Sequence, residues 1–155
     1  MNIEIRSKQD MFRCFDILHD AEIEESDIRY DSDTKVLSIL AERDVLDNEK
    51  LTVERNLIIA KKYNHPIVKT ELRLEGVISF NLKTKDPSLR RHSFNECKSG
   101  DSPGEYELTS CEVLHISIKI ANEPTGHLAD VPAESRKGSF WQLTFPFPAT
   151  FARTG

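Results

Sequence analysis

The sequence predicts an α+β protein: a mostly antiparallel β-sheet of about six strands, sandwich- or roll-like, with one N-terminal amphipathic helix. Three observations carry this. Apolar residues recur at helical spacing once, near the N-terminus, and at a spacing of two in most segments after it. Strand-like segments follow one another through polar, turn-rich joints, with none of the strand–helix–strand alternation of a parallel doubly wound sheet. The 155 residues are 38% hydrophobic and 30% charged, which suits one core and is too apolar for a disordered chain. A single domain over 1–155 is expected.

The elements follow in order. Ser7 and Asp10 have the chemistry of a capping box. Met11, Phe12, Phe15 and Leu18 then form a stripe with Lys8, Arg13 and Asp16 between them, which predicts a helix at about 8–19. From Ala21 the period becomes two. Ala21 and Ile23 share one parity, Ile28 and Tyr30 the other, and the switch near Glu24–Asp27 predicts a bulge. "YDSDTK" reads as a tight turn, giving a hairpin of strands at about 21–30 and 35–43.

"LTVERNLIIA" predicts a strand at about 51–60, ended by "KKYNHP" because Pro66 restricts the residue before it. Val68, Thr70, Leu72, Leu74, Ile78, Phe80 and Leu82 share one parity, interrupted only by Gly76. They predict a long strand at about 67–84 with a bend or close approach at the glycine. Further strands are expected at about 106–120 and 139–147. In the last of these Trp141, Leu143, Phe145 and Phe147 share one face, and Phe140 and Thr144 the other. The polar segments at about 85–105 and 122–138 read as mobile loops.

The totals restrict function. The formal net charge of −5, from 21 basic and 26 acidic residues, argues against a sequence-independent grip on nucleic acid. It argues equally against a polybasic membrane patch. No run approaches the ~18 apolar residues of a membrane-spanning helix. Cys14, Cys97 and Cys111 are odd in number and form no C-x-x-C pair. They read as free thiols in a reducing compartment, Cys97 beside Lys98 the most reactive, Cys14 and Cys111 as small hydrophobes rather than nucleophiles. "MNIEIRSKQDMFRC" has no apolar run of the secretory-leader kind, so a cytoplasmic location is expected.

Four stretches could carry chemistry. The His19-Asp20 doublet is the central element of metal-dependent phosphohydrolases, but it lacks their further His and Asp on helices; as a helix exit it needs no metal. "DIRYDSDTKVLS" lacks the central Gly and final Glu of a calcium loop. "GDSPG" resembles the G-D-S-G-G of chymotrypsin-like proteases at four of five places, without their His-bearing motif or their length. "RRHS" resembles a basophilic kinase site, but such tetrapeptides are common by chance and an exposed basic loop is the favoured reading. Glu112 shares parity with Leu114–Ile120, so a strand irregularity near Ser110–Glu112 is expected. If buried instead, Glu112 would be a functional-site candidate with a raised pKa. The candidate ligand-binding residues are therefore His19, Asp20, Glu112 and His115. No catalytic residue, metal or cofactor is expected.

The order helix, "LHDAEI", Asp-rich hairpin, "LRLEGVISF" and a late strand pair resembles small uncharacterised bacterial domains of unknown-function and immunity-type families. These open with an L-H/Q-D-A turn and an early hairpin, and carry a G/R-V dipeptide at the end of a later apolar strand. The resemblance spans about residues 12–120. It implies a compact β-rich bacterial domain with no assigned chemistry and no catalytic residues to carry over. The function expected is a non-enzymatic protein-interaction domain. Its partner would be another protein or a second copy, not nucleic acid or membrane. The alternative is a small-molecule-binding or hydrolytic domain whose pocket draws on His19, His115 and Glu112.

Overall fold

The computed structural model of the chain describes residues 1–46, 48–111, 113–143 and 151–154, the side chains of 48, 132–135 and 151–154 excepted. It is mostly antiparallel β-sheet with one α-helix. The order is β1 (Asn2–Ile5), α1 (Lys8–Ile17), β2 (Glu22–Asp31), β3 (Val36–Asp44), a short 3₁₀ turn (Asn48–Lys50), β4 (Thr52–Asn56) and β5 (Ala60–Thr84). Then follow β6 (Arg91–Ser93), β7 (Glu96–Ser99), β8 (Glu105–Ser110), β9 (Leu114–Leu143) and β10 (Phe151–Thr154). Contacts group the chain into two compact units, Met1–Arg43 with Lys69–Val131, and Asp44–Val68 with Pro132–Gly155. Strands β5 and β9 run through both.

In the first unit the strand order is β6-β2-β3-β5-β9-β8-β7, and β1 also pairs with β9. The Ser7 side chain caps α1, its hydroxyl accepting from the Asp10 N–H at 3.1 Å. Met11, Cys14, Phe15 and Leu18 of this helix segment enter one core with Leu37 and Ile39 of β3, Leu72 and Leu74 of β5, and Leu114, Ile116, Ile118 and Ile120 of β9. Phe15 stacks on Phe94 at 5.3 Å between centroids.

The hairpin β2–β3 has the bulge the parity predicts, with a register shift between Ile23 and Ile28. Its turn is fixed by Asp31, whose Oδ1 accepts from the N–H groups of Asp33 and Thr34. Gly76 sits at φ +72, with Ile120 beneath it. That bend turns Val77 inward and leaves Ile78 44% exposed, so the parity rule fails for Ile78 there.

In the second unit β4 pairs with the start of β5 and β10 with the end of β9. The unit is small, and among its described residues the buried side chains are Ala60, His65, Ile67 and Phe140. Phe140 stacks on Tyr63 at 5.4 Å. His65 Nε2 lies 3.1 Å from Asp44 Oδ1. A Cβ at Gly138 would crowd the side chains beside it, with His65 Nε2 at 2.7 Å and Ile67 Cδ1 at 2.8 Å.

Several expectations change. Among the described residues there are ten strands rather than about six. The strand expected at 51–60 is a hairpin that turns at 57–59. Its return strand passes through Pro66, whose carbonyl accepts from the Val45 N–H at 2.9 Å. The segment expected as one strand at 106–120 is two strands, β8 and β9, which pair from Ser110 opposite Leu114. The expected loop at 85–105 contains β6 and β7, and the expected loop at 122–138 lies wholly within β9. Its Pro and Gly content hid the strand, yet Leu128 is fully buried, and β1 pairs along Gly126–Ala129. In the last segment Phe140 is buried, and Leu143 on the other face is exposed. Thr144, Phe145 and Phe147 lie outside the described residues.

Candidate functional site

His19 and Asp20 follow the Leu18 C-cap of α1. His19 Nδ1 lies 3.2 Å from Asp20 Oδ2, and both side chains are exposed. Asp20 takes a left-handed φ of +64, which short polar side chains tolerate. Its N–H donates to the Phe94 carbonyl at 2.9 Å. The doublet therefore turns the chain from helix to strand.

His115 lies elsewhere. Leu114 and Ile116 on either side of it point into the core that holds α1, so His115 stands on the opposite face of the sheet from the helix. There its Nε2 is 3.8 Å from Glu107 Oε2, both groups half-exposed. The structure thus brings His19 and Asp20 together and keeps His115 apart from them. Glu112 lies outside the described residues. Ser110, flagged by the same parity, is buried with its hydroxyl unpaired among the described residues.

The described residues contain no group of three or more His, Cys, Asp or Glu side chains placed to hold a metal. A polar depression of about 560 Å³ is lined by Glu4, Arg6, Glu75, Thr125 and His127. One of about 60 Å³ is lined by Glu22, Glu24, Asp27, Glu42, Lys69 and Arg91. Neither is reached by His19, Asp20 or His115. In "SGDSPGE" the Ser102 N–H is held by Glu105 Oε2 at 3.3 Å, an ordinary turn closure.

The thiols are ordered differently from expectation. Burial pushes Cys97 up to about 12, with Asp16 and Glu96 adding to the rise. Burial likewise pushes Cys14 up to about 11. Cys111, expected in a strand, is exposed in a turn with φ +28.

The feature that pattern reading missed lies in the second unit. The β4–β5 turn is closed by a hydrogen bond from the Leu57 N–H to the Ala60 carbonyl, 2.8 Å. Its residues are Leu57, Ile58 and Ile59, exposed by 52%, 94% and 58%. Gly, Asn, Asp and Ser usually occupy such a turn. Cations sit directly below: the register places Asn56 opposite Lys61 and Arg55 opposite Lys62. Lys62 Nζ is 3.2 Å from Glu54 Oε2 and 6.0 Å over the Trp141 ring. All five residues of β4 are exposed. The one signal in the sequence was the run Leu-Ile-Ile itself, which breaks the alternation of "LTVERN" and so does not fit a half-buried strand.

No family model, no curated protein and no solved structure matches the chain.

Proposed function

We propose that this chain is a non-enzymatic interaction domain that binds through the apolar hairpin tip of its second unit. The observation that carries this reading is the placement of three consecutive aliphatic side chains, Leu57, Ile58 and Ile59, at a solvated turn. Full burial of such a side chain is worth roughly 1.5–3 kcal/mol, so covering the tip supplies a driving force that the free protein forgoes. Single exposed hydrophobics are ordinary; three in succession at a turn mark a surface to be covered. A protein partner or a second copy, the partners expected from sequence, are occupants that such a tip accepts. The alternative, a pocket using His19, His115 and Glu112, has no convergent polar set behind it among the described residues.

Hydrophobic-interaction chromatography tests the reading. The native chain should be retained, and the L57S/I58S/I59S variant should elute early with an unchanged melting temperature. Equal retention of the two proteins would remove the tip as the binding element.

A further inference from the structure

We propose that the hairpin tip docks on an anionic lipid bilayer surface, Leu57, Ile58 and Ile59 entering the boundary between headgroups and acyl chains while Arg55, Lys61 and Lys62 meet the phosphates. The inference rests on the reading of the tip as the binding element and names its occupant.

Charge is the first argument. The chain is acidic overall, and its total charge argues against anionic surfaces, but the two units differ. The first carries 21 acidic and 14 basic residues, net −7; the second carries 5 acidic and 7 basic, net +2. The acidic excess resides wholly in the unit that does not hold the tip.

Geometry is the second. A strand rises ~3.3 Å per residue, so the Asn56–Lys61 and Arg55–Lys62 rungs lie roughly 3 and 7 Å below the turn. Interfacial apolar faces bury about 5–10 Å into the headgroup–acyl boundary, which would leave these cations at phosphate level. Arg55 directly opposite Lys62 is a like-charge pair, a cost in the free protein that Glu54 offsets at Lys62. Anionic headgroups would relieve it.

Chemistry distinguishes lipid from the other classes. Single-stranded nucleic acid calls for stacking aromatics, and the tip is aliphatic. A protein must offer a groove matched to the convex tip, whereas a bilayer accepts it without one. A second copy pairing along β4 meets a short, charged strand with a register shift between Val53 and Arg55, features that resist edge-to-edge pairing.

The test is co-sedimentation of the full chain with vesicles of phosphatidylcholine, with and without phosphatidylglycerol. The native chain should bind the anionic vesicles, and added salt should weaken binding. R55Q/K61Q should lose on the order of 25-fold, at about five-fold per cation. I58S/I59S should lose on the order of 100-fold, at about ten-fold per aliphatic side chain. Anionic-vesicle binding unchanged in I58S/I59S would overturn the proposal. So would absence of vesicle binding by a native chain that chromatography still retains; tip-dependent dimers in light scattering would then identify a second copy as the occupant. Loss of both vesicle binding and tip-dependent retention would overturn the interaction reading as well.

Discussion

Arg43 grips Asp130 with one nitrogen: its Nη2 donates to both carboxylate oxygens, at 2.8 and 3.0 Å. Arg43 Nε donates to Thr70 Oγ1 at 3.0 Å, and the Thr70 hydroxyl donates to Asp130 Oδ1 at 2.8 Å. The cluster ties β3, β5 and β9 together. Thr70 is fully buried, and both charged side chains are mostly so. Removing one partner of a fully buried pair costs roughly 3–5 kcal/mol; here residual solvent contact reduces that. Arg43→Ala should lower unfolding free energy by about 2 kcal/mol, read by urea denaturation. A loss near zero would show that water replaces the guanidinium freely.

The same cluster gives a pH dependence. Burial opposes ionisation of Asp130, yet hydrogen bonds from Arg43, Thr70 and the chain's amino group, with the Arg43 charge, hold its carboxyl below the usual 3.8. A carboxyl depressed on folding contributes stability that is present above its unfolded value and is lost as pH falls through the folded one. The urea midpoint should therefore fall in acid below about pH 4, and part of that slope should be missing in Asp130→Asn. An identical acid slope in the two proteins would count against the assignment.

Gly126 has no room for a side chain. A Cβ there would lie 1.9 Å from the Arg73 carbonyl oxygen, backbone that cannot swing aside, and its φ is +153. Gly126→Ala should cost about 3 kcal/mol or more, since β5 and β9 would have to separate. Thermal melting reads this directly. A variant that melts within a few degrees of the native protein would mean that the strands separate at little cost.

Two aliphatic truncations should behave oppositely. Leu74 is fully buried in the first unit's core, so Leu74→Ala should destabilise by about 3 kcal/mol. Ile58→Ser, at the 94% exposed tip, should change stability by less than about 0.5 kcal/mol while raising solubility. A destabilisation at Ile58 matching that at Leu74 would place the tip in a packed environment.

Thiol labelling should follow exposure and pKa. Iodoacetamide at mildly alkaline pH should alkylate Cys111 first. Cys97, pushed up to about 12, and Cys14, pushed up to about 11, should react only on unfolding. Mass spectrometry of the peptides gives the order, and early modification of Cys97 would contradict it.

Local pattern carried much of the fold. The Ser7 cap, the α1 stripe, the Glu24–Asp27 bulge and the Asp31 turn are each set by residues within a few positions of one another, and each appears where the residues indicate. Polar composition misled where strands are wetted on one side: "NEPTGHLADVPAESRKG" has loop chemistry, yet pairing with β1 draws its first half into β9. Of the candidate site, His19–Asp20 was legible because the partners are adjacent; the separation of His115 from them was not, because it depends on which face of β9 meets the helix.

Periodicity and turn chemistry act over a few residues, and they suffice to specify antiparallel sheet around one short helix. Which polar residues converge and which apolar ones stay wet follows from how the strands pair. Arg43, Thr70 and Asp130 come from three strands, and Leu57–Ile59 stand exposed because the chain reverses at them. The first outcome depends on pairing between distant segments, the second on a local hairpin whose turn residues lack the usual turn chemistry.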